Sequence, residues 1–210
     1  MRDLSIVSAA LCAVPAAMLF TAGPARGDII WDEAVSGDLS TDPMAPTPLV
    51  FGLGSNIITG TITGSGDIRD YITFTLAPGQ FLAALNLLAW DDLPGQGLPP
   101  GPGNTGFNAI NEGATSFIPD ATTISNFLGA NHVEAIFEGT DILPGIAAAP
   151  FGGSGFEIPL EAGTYSYLVQ QTGPQLNGYS LEFVVVPGPG AGAAMLIGAG
   201  LAVGRRRRRN

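Results

Sequence analysis

The run GYSLEFVVV, residues 178–186, sets Tyr179, Leu181, Phe183 and Val185 against Ser180, Glu182 and Val184. A two-residue apolar period suits a strand with one face buried, whereas a helix would scatter the same residues around its axis. DYITFTLAPG repeats the pattern: Ile72, Phe74 and Leu76 alternate with Tyr71, Thr73 and Thr75 until Pro78 and Gly79 stop the run. One face is greasy and the other hydroxylated. Further strand candidates are NIITGTIT from Asn56, FLAALNLLAW from Phe81, HVEAIFEG from His132, GFEIPL from Gly155 and GTYSYLVQQTG from Gly163. The 30 glycines and 17 prolines favour turns between short strands over long helices, and 46% hydrophobic residues supply a core. The expected fold is all-β, an antiparallel sandwich. Asn177 and Gly178 suit a tight turn pairing GTYSYLVQQTG with the final strand. One short helix is expected, capped by Asp120 or Thr122, with Ile124, Phe127 and Leu128 on one face and Gly129 ending it. The stretch DDLPGQGLPPGPGNTG, from Asp91 to Gly106, reads as a long loop.

Charge divides the chain. Lysine is absent, and between Asp28 and Pro187 seventeen acids face the single Arg69, a formal charge of −16. Such a body repels phosphate backbones, which excludes nucleic acid as a partner, and suits an extracellular surface or one that meets divalent cations. The only cysteine, Cys12, precludes an internal disulfide and thiolate chemistry in the body.

The ends have the layout of addresses. Residues 1–27 start with Arg2, run uncharged from Leu4 to Phe20, and finish AGPARG, with Ala25 and Gly27 at −3 and −1 of a predicted signal-peptidase cut. At the other end, Gly190 to Gly204 holds 15 uncharged residues. As a helix these span roughly 22 Å, against ~30 Å for a bilayer's hydrocarbon core, a marginal membrane span. Arg205, Arg206, Arg207, Arg208 and Arg209 would remain cytoplasmic, leaving the acidic body outside. The expected organisation is therefore a signal peptide, residues 1–27; a β-sandwich, residues 28–186; and a sorting or anchor segment, residues 187–210.

The C-terminal arrangement of Val186, Pro187, Gly188, Pro189, the small-residue helix from Ala191 to Val203 and the terminal arginines resembles the PEP-CTERM sorting signal of exported bacterial proteins. Glycine stands at 188 where the family name records glutamate. The resemblance implies transient retention in the inner membrane, cutting by an exosortase-like enzyme near the motif, and release to the cell surface. The body is similar to the bacterial pre-peptidase C-terminal type domain, a jelly-roll sandwich, through GSNIITGTITGSGDIRDYITFTLAPGQ, PLEAGTYSYLVQQTG and YSLEFVV.

The sharpest polar cluster is GSGDIRDY, where Asp67 and Asp70 flank Arg69 before a strand. Two carboxylates in a glycine-rich turn can offer hard oxygens to calcium; alternatively Arg69 pairs with one of them and the other is solvated. Asp91 and Asp92 would join the site if their loops converge. His132, the sole histidine, has no GxSxG elbow to serve and no second imidazole for zinc. Trp31 and Trp90 are weighed as sugar platforms or core, and for Trp90, which ends an apolar strand, core is the commoner role. No cofactor is called for apart from calcium. The leading expectation is an exported, surface-displayed, non-enzymatic protein of the envelope or extracellular matrix. A carbohydrate- or calcium-binding adhesion module, with envelope polysaccharide as partner, is the alternative. A secreted hydrolase, which needs a carboxylate pair in one cleft, comes third.

Overall fold

Alternating runs become paired strands in the computed structural model, which describes residues 27–63, 65–90, 105–115, 127–173 and 176–188. In chain order these are β1 (Asp28–Asp32), helix α1 (Glu33–Ser36), β2 (Thr47–Pro48), β3 (Gly54–Ile62), β4 (Arg69–Leu76), β5 (Gln80–Trp90), β6 (Gly106–Glu112), β7 (Gly129–Val133), β8 (Thr140–Asp141), helix α2 (Leu143–Ala147), β9 (Gly163–Gln171) and β10 (Asn177–Pro187). One five-stranded sheet has the order β1-β3-β10-β5-β8 and the other β2-β4-β9-β6-β7. Every connection between successive strands except β6 to β7 therefore crosses from one sheet to the other.

The inner faces meet as periodicity requires. Ile72, Phe74 and Leu76 of β4 and Leu181, Phe183 and Val185 of β10 are all buried in one cluster. The Phe183 ring lies 5.7 Å from Phe74 and 5.2 Å from Tyr167, both edge-on, so aromatic rings from the two sheets interlock. Trp90 belongs to this core and is fully buried, which rules it out as a sugar platform. Tyr71 and Leu168 face outward and join Phe107, Ala109, Phe127 and Ala130 in a second cluster, so the far face of β4 is apolar at Tyr71 and not wholly hydroxylated.

Several expectations are corrected. The sheets are mixed, because β1 runs parallel to β3 and β2 parallel to β4. β9 and β10 lie in different sheets, and Asn177 and Gly178 open β10 opposite Ile62 and Thr61. Gly129 begins β7 instead of ending a helix, and its missing side chain admits the carbonyl of Ile146 from α2. The run from His132 leaves β7 after Val133 and turns through a 3-10 helix, Ala135–Phe137; Glu138 then accepts the Trp90 N–H at 2.6 Å and caps β5. GFEIPL contributes only a bridge from Leu160 to Leu82, since Pro159 has no N–H for a ladder.

The helix expected from Asp120 or Thr122, the loop residues Asp91 and Asp92, Ala25, Pro189 and Arg205 to Arg209 lie outside the described residues. Among the described residues no helix is long and apolar enough to cross a membrane.

Candidate functional site

β1 ends opposite Thr59, leaving the edge of β3 beyond it without a strand neighbour on that side. Glu33, the next residue, supplies a side chain in place of the missing strand. Its Oε2 accepts the Thr61 N–H at 2.7 Å, and its Oε1 accepts the Leu39 N–H at 3.1 Å. One carboxylate thus fastens the N-terminal arm to β3 and closes the loop that carries Asp38. Asp32 caps α1 by accepting the Ala34 N–H, and Gly37, at φ 90°, turns the chain back.

Gly60 makes the enclosure possible. A Cβ there would sit 2.5 Å from Tyr179 Oη and 3.0 Å from Glu33 Cδ, so only glycine lets both side chains approach β3. Tyr179, fully buried on β10, donates its hydroxyl to Asp70 Oδ2 at 2.7 Å. Asp70 is 1% exposed, and its Oδ1 has no hydrogen-bond partner among the described residues. Oxygens of Glu33, Asp38 and Asp70 lie within 4.8 Å of one another. Asp67 lines the same cleft of about 340 Å³ together with Glu33, Asp38 and Thr59, and its Oδ1 is likewise buried without a partner.

Convergence of carboxylates in a desolvated place raises their pKa values. Burial, reinforced by the Glu33 charge and only partly offset by the Tyr179 hydrogen bond, pushes Asp70 up to about 9. Burial outweighs the two main-chain amides at Glu33 and lifts it to about 7, while burial and Asp38 bring Asp67 to about 6. No basic side chain contributes. Arg69 instead donates Nε–H to Gln170 across the β4–β9 ladder at 3.1 Å, so it does not neutralise the aspartates beside it in sequence. The result is a concentration of carboxyl groups whose shifts owe nothing to a basic side chain.

Of the predicted pair, Asp70 groups with Glu33 and Asp38, and Asp67 lines the cleft beside those two acids, which sequence reasoning missed. The available signal was Gly60 in the interior of a strand, a mark of close approach by another group. His132 lies on β7, half-buried, its ring 5.3 Å from Phe107 and 4.8 Å from Phe151, away from any of these acids. Trp31 donates its indole N–H to the Gly37 carbonyl and steadies the same arm.

Of the residues expected to form a sorting motif, Val186 and Pro187 continue β10 opposite Phe81 and Gln80, one residue beyond the boundary expected for the sandwich. Gly188 donates its N–H to the Gly79 carbonyl at 2.7 Å, and a Cβ there would lie 2.6 Å from the Phe81 ring. Close packing accounts for glycine at this position. A side chain at Gly27 would collide with Ser55 and Ile57, so packing favours a small residue there. No family model, curated protein or solved structure matches the chain.

Proposed function

We propose that the chain is an exported bacterial protein displayed at the cell surface, a non-enzymatic component of the envelope or extracellular matrix delivered by its terminal segments. The coincidence of boundaries carries this reading. The first strand begins at Asp28 and the last ends at Pro187, within a residue of the limits between the acidic, lysine-free body and the two apolar ends. A signal peptidase acts at one boundary, and an exosortase-like enzyme acts at the other after transient retention in the inner membrane. The strand order supports the finer reading of the body as a jelly roll. β3-β10-β5-β8 faces β4-β9-β6-β7, and the parallel edge strands β1 and β2 are N-terminal additions to that plan.

Two observations weigh against the alternatives. Acids do gather beside one cleft, but Asp70, the most deeply buried of them, is 1% exposed, which keeps its carboxyl from proton exchange with a substrate in water. Burial of Trp90 removes the aromatic platform that the carbohydrate-binding alternative would use.

Mass spectrometry of the mature protein from its native cells tests the reading. Termini at Asp28 and near Pro187 are expected. An intact terminal arginine cluster makes the segment a permanent anchor instead, and retention of residues 1–27 overturns export.

A further inference from the structure

We propose that Glu33, Asp38 and Asp70, with Asp67 at the rim, form a calcium site that ties the N-terminal arm to the mouth of the sandwich. The proposal is independent of how the ends are processed.

Three observations converge on it. The first is the orphaned Asp70 Oδ1: a side chain 1% exposed leaves one oxygen without a hydrogen-bond partner among the described residues, on a carboxylate that lies in reach of two others and not of any basic group that shifts it. Buried polar oxygens are rarely left in that condition, and one that is points to a ligand. The second is span. Calcium takes about 6–8 oxygens at about 2.3–2.6 Å, so oxygens on opposite sides of one ion stand ~4.6–5.2 Å apart. The separations here fall within 4.8 Å, so a single ion reaches all three. The third is room, since Glu33 and Asp38 also line the cleft of about 340 Å³, which accommodates the waters that complete the shell.

The donor set also suits a hard divalent ion: carboxylate oxygens with no imidazole or thiolate. Glu33 and Asp38 come from the arm, Asp70 from β4, and Tyr179 of β10 holds the second oxygen of Asp70. An ion placed among them joins a peripheral segment to both sheets. Glu33 keeps its two amide bonds while ligating, because Oε1, which accepts only the Leu39 N–H, has a second lone pair, whereas Oε2 takes both the N–H and the hydroxyl of Thr61.

Calorimetric titration of the chelator-stripped full chain with calcium chloride, paired with thermal melts, tests the site. One calcium per chain is expected, with a rise in Tm of roughly 5–10 °C when free calcium stands 100-fold above Kd. Asp38→Asn, at an exposed position that does not support the core, should weaken calcium binding tenfold or more without lowering the Tm of the chelated protein. Asp70→Asn should abolish the calcium-induced rise, while Glu157→Gln, outside the cleft, should leave it intact. Absence of both heat and a Tm rise at millimolar calcium overturns the proposal, as does wild-type affinity in Asp38→Asn and Asp70→Asn together. An equal response to magnesium at the same concentration overturns the assignment to calcium.

Discussion

Glu182 and Asp70 show two ways in which one sandwich treats a carboxylate. Glu182 sits on the outer face of β10, where Ser55 of β3 donates to Oε1 and Asn86 of β5 donates to Oε2 at 2.7 Å. Both oxygens are served by neutral donors from the flanking strands. Asp70 is more deeply buried, has one donor, and faces other acids. A sheet face can satisfy a carboxylate with its own cross-strand neighbours. The cleft at the edge of the sheet does not, and its deficit of donors distinguishes a ligand site from a structural one.

The largest effect on this contrast comes from filling the cleft. Gly60→Val places methyl groups against Tyr179 and Glu33 and should cost ~2–3 kcal/mol in chemical denaturation and remove any calcium response. Destabilisation with calcium binding intact would separate the ion from this cleft. Next comes the same amide exchange at the two contrasted acids. Glu182→Gln turns one acceptor into a donor facing Ser55 or Asn86 and should cost about 1 kcal/mol. Asp70→Asn keeps the Tyr179 bond and mimics the protonated carboxyl that a pKa of about 9 leaves in the chelated protein, so in chelator at about pH 7 it should match the wild type in Tm. Equal losses at both positions would erase the distinction.

A graded effect is expected from pH. Asp70 at about 9, Glu33 at about 7 and Asp67 at about 6 all hold protons more tightly in the folded state than their ordinary carboxyl values allow. The folded chain therefore binds more protons than the unfolded one above about pH 4. Their contribution is fully present at low pH and is lost as pH rises through the folded values. In chelator, Tm should fall from pH 5 to pH 8, and calcium at pH 8 should restore it. A Tm that stays level or climbs over this range would contradict the assignment of these shifts. The smallest effect is at the exposed pair Thr75 and Thr164, whose hydroxyls meet at 3.0 Å. Thr75→Val should change stability by only about 0.5 kcal/mol in a denaturant melt, because both groups have water as an alternative partner.

Much of the sandwich was legible in its period-two runs. NIITGTIT, DYITFTLAPG, FLAALNLLAW, GTYSYLVQQTG and GYSLEFVVV all contain or overlap strands, and their apolar residues fill the core. Periodicity tells which face of a strand is buried and is silent on which strand lies beside it. That is why Asn177 and Gly178 suggested a hairpin that the chain does not make. HVEAIFEG misled for a related reason: its alternation is genuine, but Glu138 is drawn to the open end of β5, and the chain turns to bring it there.

In the cleft, half of the site was readable. Asp67 and Asp70 stand out because they share a glycine-rich turn, a local feature. Glu33 and Asp38 belong to the N-terminal arm, and their meeting with Asp70 depends on β1 stopping one step short of Thr61. Strand character, the acidic body and the apolar runs near the two ends can be read from the residues alone, because alternation, charge and small-residue runs are properties of neighbouring residues. Only the tertiary structure decided which acids converge and that Arg69 turns away to Gln170. It also decided that Gly188 is held against Phe81. Each of these depends on which segments the sheet crossovers bring together, and desolvation acts on the acids only once they are there.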